Sequence, residues 1–401
     1  MPTVMHVLSR FMVGGPSIVI TSIVNNISKD FKTILVIGNK ADYEKEPAYL
    51  RDAISKEVEI IFIKEMKRSV NPFLDYRAYK KMSLLMRQYK PDIVHTHSAK
   101  AGIIGRLAAY KNKVPVIIHM FHGHVFHSYF GKFKTAIIIK IEQFLARLST
   151  GIIAISKTQG EELKNVYHIA KAEKIKVIPL GFPLQTFLTG NESKKDLFRK
   201  KYNVGNNEIV IAHIARVEPI KNHEFFIDII NQLKNEFRNK MLRFFIVGDG
   251  SGREKMEQKI RSFHLDYQYN PEGKTSSMIV CTSWIDNVDE ALSGSDIIML
   301  TSLNEGTPLS LIEAQANARP VVATNVGGVK DIMEDGVTGF LINDFSINEA
   351  VSKISLLIND VELAKTMGLQ GRKFVTEKFT SEIFNSNLAK YYNEQLQLIK
   401  N

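Results

Sequence analysis

The stretch 295–323 constrains this chain most, because a buried strand, a polar loop, a short helix and a second strand follow one another there. Thr307 is predicted to cap the helix and Pro308 to be its first residue, where a missing N–H costs nothing. The N–H groups of Leu309 and Ser310 then have no intrahelical partner, and the helix dipole adds partial positive charge. The stretch therefore predicts an anion site, most naturally for phosphate.

Two carboxylates frame this predicted anion site. Glu305 lies in the loop before the helix. Glu313 lies six residues into the helix, about 9 Å along its axis at a rise of about 1.5 Å per residue. A carboxylate does not bind phosphate, but it accepts strong hydrogen bonds from hydroxyl groups. Phosphate at the helix end with hydroxyls on either side describes a nucleotide-sugar. The alternative is a solvated helix with ordinary surface glutamates.

The same residues, EGTPLSLIEA, resemble the E-x7-E signature of the family-four retaining glycosyltransferases, of the bacterial surface-polysaccharide type. Ala318 departs from the glycine usual at its position, and a methyl group should be tolerated there. The resemblance implies the GT-B fold, an α/β architecture of two Rossmann-like domains whose parallel sheets face across a deep cleft. It covers most of the chain and continues at Gly248-Asp249-Gly250, Gly327-Gly328, Asp335-Gly336 and Gly339-Phe340.

A chain of 401 residues is long for one core, and two domains are expected. Strands alternate with helices, which predicts parallel sheets covered on both faces, with ligands beyond the carboxyl ends of the strands. With the resemblance, we expect an acceptor-binding domain at 1–182, an interdomain crossover at 183–207 and a donor-binding domain at 208–380. A final helix at 381–401 is expected to pack back on the first domain.

The formal net charge of +11 is carried by the first 180 residues, whereas the remainder of the chain is slightly acidic. This asymmetry suggests that the first half meets an anionic surface, either nucleic acid or anionic lipid. The alternative is a charge that serves solubility without any partner. Because no recognised nucleic-acid module accompanies the charge, nucleic acid is not expected as a partner.

The single cysteine, Cys281, excludes an internal disulfide and indicates a reducing compartment. No run of about 18 apolar residues is present that would predict a membrane span. The N-terminus lacks the charged-then-apolar pattern of a signal peptide. We therefore expect a cytoplasmic protein.

Two glycines, Gly14 and Gly15, follow the first predicted strand and allow the backbone to approach a ligand closely. The segment is neither a G-x-G-x-x-G fingerprint nor a P-loop, since no Gly-Lys-Ser/Thr follows. A simple turn is the alternative. The resemblance implies that this loop lies beneath the donor diphosphate and near the acceptor.

Four histidines, His119, His122, His124 and His127, fall close together after another predicted strand. A metal site is not expected, because side chains alternate along a strand and no cysteine or acid lies nearby. The resemblance gives His122 the role of lining the donor sugar, where an imidazole donates a hydrogen bond to a hydroxyl or to developing charge. His124 faces the acceptor or simply packs.

Arg216 and Lys221 lie five residues apart just past a predicted strand. Two permanent cations on one loop are able to neutralise a diphosphate leaving group, although such residues are also common on surface loops. They match the family's phosphate-binding Arg and Lys, and Ala215 departs from the usual Gly. The resemblance also implies donor-binding roles for Gly248, in a glycine-rich turn, and for Ile285, where relatives hold the nucleobase.

A predicted helix after residue 131 carries a heavy apolar load, and Phe130, Lys132 and Lys134 lie at its start. A core helix is the alternative reading and is favoured for its second half. The start resembles an interfacial membrane contact. Since the acceptors of many relatives are lipid-linked, we expect peripheral contact with an anionic membrane surface, on its inner face.

Together these features and the resemblance imply retaining transfer of a sugar from a nucleoside-diphosphate sugar, UDP-linked by family frequency, to a hydroxyl of a lipid-linked or saccharide acceptor. Arg216, Lys221 and the helix end stabilise the departing diphosphate. Glu313 holds the ribose, while Glu305 and His122 position the sugar. No cofactor and no divalent metal are expected, and the sequence has no D-x-D motif.

Two other functions stay open at this point. A nucleotide-sugar 2-epimerase of the same fold would release free nucleotide and sugar without an acceptor. A basic nucleic-acid-binding protein would instead show a steep, salt-dependent affinity for duplex DNA.

Overall fold

The computed structural model describes residues 1–12, 15–27, 30–39, 51–67, 69–123, 126 and 131–400. The chain divides into two compact units: Met1–Pro183 with Phe379–Asn401, and Leu184–Lys378. Within the described ranges, each unit contains a seven-stranded sheet flanked by helices. The prediction of an α/β protein with two parallel sheets is confirmed.

The sheet of the first unit is built from strands of branched apolar residues that are mostly buried, as is typical of parallel sheets with both faces covered. Its strands are β1 Thr3–Leu8, β2 Lys32–Gly38, β3 Glu59–Ile63, β4 Ile93–His97, β5 Val116–Phe121, β6 Gly151–Ala154 and β7 Ile175–Val177. They lie in the order β3-β2-β1-β4-β5-β6-β7 and pair in parallel. The helices are α1 Gly15–Ile27, α2 Pro72–Tyr89, α3 Ala99–Lys111, α4 Lys132–Leu148 and α5 Lys157–Glu161.

The second unit repeats this plan. Its strands are β8 Ile209–Ile214, β9 Leu242–Val247, β10 Tyr267–Tyr269, β11 Ile279–Ser283, β12 Ile297–Leu300, β13 Val321–Thr324 and β14 Gly339–Ile342, in the order β10-β11-β9-β8-β12-β13-β14. The helices are α6 Gln185–Leu188, α7 Asn191–Tyr202, α8 His223–Glu236, α9 Arg253–Ser262, α10 Val288–Gly294, α11 Leu309–Ala316, α12 Ile347–Asn359 and α13 Val361–Lys378.

The last helix, α14 Ser381–Lys400, packs on the first unit. The side-chain amide of Asn385 donates a hydrogen bond to the Ser22 hydroxyl of α1 at 3.1 Å. The ring of Tyr392 meets Phe31 edge to face, with centroids 5.6 Å apart. The chain therefore returns to its first unit after completing the second.

The segment 183–207, where we expect the crossover, contains the helices α6 and α7. Helix α7 packs against α10 of the second unit. Two ion pairs hold it there, Lys194–Asp289 at 3.0 Å and Arg199–Asp296 at 2.7 Å. Most of this segment is thus a folded part of the second unit.

The second sheet positions the predicted donor residues. Strands β9, β8, β12 and β13 are successive neighbours, and all of them run parallel. Their carboxyl ends therefore lie along one edge of the sheet, and so do the loops that follow them. In parallel sheets this edge is where ligands bind.

Candidate active site

Helix α11 begins at Leu309, one residue later than predicted. Pro308 occupies the N-cap position, since its φ of −72° suits a helix whereas its ψ of 105° is extended. The prediction that Thr307 caps the helix is wrong, and its hydroxyl is buried without a hydrogen-bond partner among the described residues. The physical reason is that proline fixes φ but not ψ, so the residue pattern alone does not place it inside or just before the first turn.

The exposed end of α11 still offers backbone donors. Among the described residues, the N–H groups of Leu309 and Ser310 donate no backbone hydrogen bond, whereas that of Leu311 donates to the Pro308 carbonyl at 3.2 Å. Both free N–H groups belong to the first turn, where the helix dipole favours an anion.

The structure brings Lys221 and Glu305 together. The Lys221 ammonium Nζ lies 2.5 Å from the Glu305 carboxylate Oε1, and both side chains are largely shielded from solvent. The Ser302 hydroxyl donates a second hydrogen bond to the same oxygen at 2.5 Å. The residue predicted to bind phosphate is therefore in direct contact with one predicted to position the sugar.

This contact arises because the loops after β8 and β12 are hydrogen-bonded to each other. The Thr301 hydroxyl donates to the carbonyls of Lys221 and Asn222 at 3.2 and 3.0 Å. The N–H of Leu303 donates to the Ile220 carbonyl at 2.8 Å. Sequence reasoning missed Thr301 and Ser302, since only the sheet order shows that their strand lies next to β8.

Arg216 follows β8 on the same loop as Lys221, and its side chain is exposed. No hydrogen bond or ion pair of its guanidinium to another described residue is found. The structure therefore joins one of the two predicted cations to Glu305 and leaves the other facing solvent.

Two glycines permit the close approach of these loops. Gly248 has a φ of +133°, and a Cβ there would collide with the Ala215 carbonyl. Gly327 has a φ of +50°, and a Cβ there would collide with the carbonyl of Glu305. Both positions combine a backbone conformation that disfavours side chains with a lack of space, which explains the requirement for glycine.

Glu313 lies in the second turn of α11 and is partly buried. Burial raises the pKa of its carboxyl group to about 8, and the negative charge of Asp289 adds to the effect. A protonated carboxyl both donates and accepts hydrogen bonds, which suits contact with a vicinal pair of hydroxyls.

Ile285 follows β11 and is partly buried. The end of this strand is tied to the glycine-rich turn after β9, because the Gly248 N–H donates to the Ser283 carbonyl at 3.1 Å. Ile285 and Gly248 are therefore on adjoining loops at the carboxyl edge of the second sheet.

His122 lies just beyond β5 in the first unit and is partly buried. Its Nε2 atom is 2.9 Å from Nδ1 of His97, at the end of β4. Its Nδ1 atom is buried and has no hydrogen-bond partner among the described residues. Burial lowers the pKa of His122 to about 4, so the ring is neutral at physiological pH.

A different set of histidines clusters behind His122. Potential ligand atoms of His6, His95 and His97 all lie within 4.8 Å of one another, and all three rings are buried. His119, by contrast, bonds to the Thr96 hydroxyl at 2.8 Å. Sequence reasoning missed this cluster because His6 comes from β1 and the others from β4, which are distant in the chain but paired in the sheet.

The remaining predicted residues belong to the first unit. Gly14, His124 and Phe130 lie outside the described residues, whereas Gly15 begins α1. Lys132 and Lys134 are exposed in the first turn of α4.

Comparison with known proteins decides the family. The Glycosyltransferase Family 4 profile matches residues 13–186, and the profile of Glycosyl transferases group 1 matches residues 194–374. An Escherichia coli protein, UDP-Gal:alpha-D-GlcNAc-diphosphoundecaprenol alpha-1,3-galactosyltransferase, is 30% identical over 318 residues, which cover 78% of each chain. This chain is a family-4 glycosyltransferase.

Further relatives agree with this assignment. The capsular polysaccharide biosynthesis glycosyltransferase CapM of Staphylococcus aureus is 28% identical over 84% of this chain and 86% of its own. The crystal structure of Anabaena HepE in complex with UDP-glucose superposes with a TM-score of 0.80 at 18% identity, covering 98% of this chain and 100% of the HepE chain. The GT-B fold expected from the resemblance is confirmed.

These findings also bear on the open alternatives. Because the relatives are transferases, they do not favour the 2-epimerase that the sequence left open. Among its described residues, this glycosyltransferase has no helix with the length and apolar character that crossing a bilayer requires.

Proposed function

We propose that this glycosyltransferase moves a sugar from a UDP-sugar to a hydroxyl of a lipid-linked or saccharide acceptor, with retention at the anomeric carbon and without a divalent metal. The E. coli relative is named for UDP-Gal and a diphosphoundecaprenol-linked acceptor, and CapM for capsular polysaccharide biosynthesis. These names support the donor and acceptor classes. The observation that carries the proposal is the contact of Lys221 with Glu305 close to the start of α11 in the chain.

The proposed role of Lys221 follows from its electrostatic surroundings. Without a ligand, the Glu305 carboxylate balances the ammonium in a largely shielded position. A diphosphate that reaches this ammonium adds negative charge beside Glu305, and the free N–H groups of Leu309 and Ser310 offset it. Arg216, which has no ion-pair partner among the described residues, supplies a second cation.

This set of groups supports a reaction without metal. Two cations and a helix end stabilise the charge that develops on the departing diphosphate, which is the task that Mg²⁺ or Mn²⁺ performs in metal-dependent transferases. Glu313 holds the ribose through its carboxyl group. Glu305, held by Lys221 and Ser302, positions the sugar together with His122.

The donor is tested by thermal shift with UDP-, GDP- and dTDP-sugars in the presence of EDTA. A ligand that binds only the folded protein raises its free energy of unfolding by mass action, by about 2.7 kcal/mol at a ligand concentration of about a hundred times Kd. The melting temperature rises accordingly. We expect UDP-sugars to stabilise the protein most and EDTA to leave the shift unchanged. Stabilisation by GDP- or dTDP-sugars alone would contradict the proposed nucleotide, and a shift that EDTA abolishes would contradict metal independence.

We also propose that α4 contacts the inner face of an anionic membrane. Its exposed face carries an apolar set: Phe133, Ile137, Ile141 and Phe144, of which Phe133 is 79% exposed. Its exposed charged residues are all basic: Lys132, Lys134, Lys140 and Arg147.

The charge pattern of α4 favours anionic lipid over a protein partner of mixed charge. The helix contains a single acidic residue, Glu142, which is buried and pairs with the guanidinium of Arg106 at 2.6 Å. The exposed face is therefore apolar and purely cationic, which is the composition of helices that lie in the headgroup region. A lipid-linked acceptor would meet the enzyme at such a surface.

A further inference from the structure

A chain of three hydrogen-bonded imidazoles crosses the first unit from β1 to the residue beyond β5. Nδ1 of His6 is 3.2 Å from Nε2 of His97, and Nδ1 of His97 is 2.9 Å from Nε2 of His122. His6 and His97 are fully buried, whereas His122 is partly buried beyond the carboxyl end of its strand.

The proton positions in this chain are linked. Burial lowers the pKa of His6 to about 3, lowers that of His122 to about 4 and holds that of His97 well below its usual value, so all three rings are neutral. A neutral imidazole carries one N–H. Both hydrogen bonds therefore form in only two ways: all three rings protonated on Nδ1, or all three on Nε2.

The two ends of the chain distinguish these arrangements. Nε2 of His6 and Nδ1 of His122 are both buried without a partner among the described residues. Protonation on Nε2 leaves an unpaired N–H on His6, deep in the core, where no ligand arrives. Protonation on Nδ1 leaves only a lone pair on His6 and places the free N–H on His122, at the sheet edge where ligands bind. Since buried unpaired N–H groups are rarer than buried unpaired acceptors, the second arrangement is favoured.

We propose that His97 and His6 are positioning residues that fix His122 in its Nδ1–H tautomer, so that His122 donates a hydrogen bond to the bound donor substrate. The acceptor atom is a hydroxyl of the donor sugar or an oxygen on which charge develops. This rests on the proposed function, because it takes His122 to line the donor sugar.

A metal ion is the competing use of these side chains, since His6, His95 and His97 are close enough to share one. A bound dication would need the ring-nitrogen lone pair that accepts the hydrogen bond between His6 and His97. Metal binding would therefore break that hydrogen bond. The described residues around it supply no carboxylate to the group, so its full charge would stay uncompensated in a buried position. The hydrogen-bonded chain therefore explains the geometry better.

The tautomer is measured directly by two-bond ¹H–¹⁵N correlation spectra of the full chain labelled on histidine, with resonances assigned through single substitutions. We expect His122 to be protonated on Nδ1 in the wild-type protein. His97→Phe removes the donor and is expected to shift His122 toward the Nε2–H form that free imidazole prefers. His97→Asn, whose amide is able to donate from the Nδ1 position, is expected to preserve the wild-type signal.

His119→Phe is the matched control, because His119 is equally buried but is not one of the three hydrogen-bonded imidazoles. It is expected to lower stability without changing the His122 tautomer. An Nε2–H form of His122 in the wild-type protein, an unchanged tautomer in His97→Phe, or one bound metal ion per chain by elemental analysis would each overturn the proposal.

Turnover separates this proposal from the proposed function. In His97→Phe we expect kcat to fall by about tenfold with a similar KM for the donor, and His97→Asn to recover most of the loss. If the predicted tautomers are observed but His122→Phe keeps full turnover, the imidazole chain stands and the donor contact assigned to His122 is wrong.

Discussion

The carboxyl group of Glu313, a predicted site residue, has a pKa that differs between the folded and the unfolded protein. Glu313 lies about one turn after the start of α11, and burial raises the pKa of its carboxyl group to about 8. In the unfolded chain a glutamate loses its proton near pH 4.3. Between these values the folded protein binds more protons than the unfolded chain, so the stability contributed by this group falls as pH rises.

Glu313→Gln is therefore expected to remove a pH dependence of stability. Below about pH 4, Glu313 is protonated in both the folded and the unfolded protein, so the substitution changes the free energy of unfolding little. At about pH 8 the variant is expected to be more stable than the wild-type protein. Melting temperatures measured from pH 5 to 8 check this. Glu290→Gln on α10 is the control, since Glu290 lies on a helix of the same unit. A stability difference that stays constant with pH would contradict the raised pKa.

Residue-level prediction succeeded where the family's motifs assign residues to one site, even when those residues are distant in the sequence. Lys221 and Glu305 were predicted as parts of one site, through the family's pattern, and they are in contact. Thr301, Ser302, His6 and His97 were missed, because their partners lie on neighbouring strands whose order the sequence does not state. The N-cap was misplaced by one residue, since proline leaves ψ undetermined.

Among single elements, α4 has two faces of different composition. Its buried face carries Leu145 and Ala146, together with Glu142, which pairs with Arg106. Its outer face exposes phenylalanine and isoleucine beside basic residues. The sequence predicted the basic and aromatic start, whereas the apolar stripe of the second half was assigned to a core and is in fact partly exposed, at Ile141 and Phe144.

We expect Phe133→Ser/Phe144→Ser to weaken binding to vesicles that contain anionic lipid, since each substitution removes an exposed apolar side chain worth about 1.5–3 kcal/mol when fully buried. Sedimentation with vesicles of phosphatidylglycerol and phosphatidylcholine measures the bound fraction. Val361→Ser/Leu369→Ser on α13 is the control, because these residues are also exposed but belong to the second unit. Equal sedimentation of the two double variants, or no sedimentation of the wild-type protein, would argue against the membrane contact.

Helix α14 extends the element-scale picture. It joins the first unit through Asn385 and through Tyr392, whose hydroxyl hydrogen-bonds to Nδ1 of His95. The helix that ends the chain therefore borders the histidine cluster from which the imidazole chain extends. The final helix and its packing on the first unit were expected with the resemblance to GT-B proteins.

For the whole molecule, the two units divide the chemistry. The first carries the excess positive charge, α4 and the imidazole chain, whereas the second carries Lys221, Glu305, Glu313 and the free end of α11. Alternation of strands and helices was enough to predict two parallel sheets. It was not enough to predict that most of the segment 183–207 folds as helices of the second unit, because its polar composition is shared by linkers and surface helices.

Lys221 is proposed to bind the donor diphosphate without help from a metal. Isothermal titration calorimetry with UDP in EDTA compares the wild-type protein, Lys221→Met and Lys221→Met/Glu305→Gln, which removes repulsion by an unpaired carboxylate. Lys259→Met is the matched control, because Lys259 forms a similarly shielded ion pair with Asp228 at 2.6 Å.

We expect the wild-type protein to bind UDP in EDTA and both Lys221 variants to bind at least about tenfold more weakly, a loss of about 1.4 kcal/mol, while Lys259→Met binds within about twofold of the wild type. Wild-type affinity in the double variant, or binding that requires an added divalent cation, would contradict it.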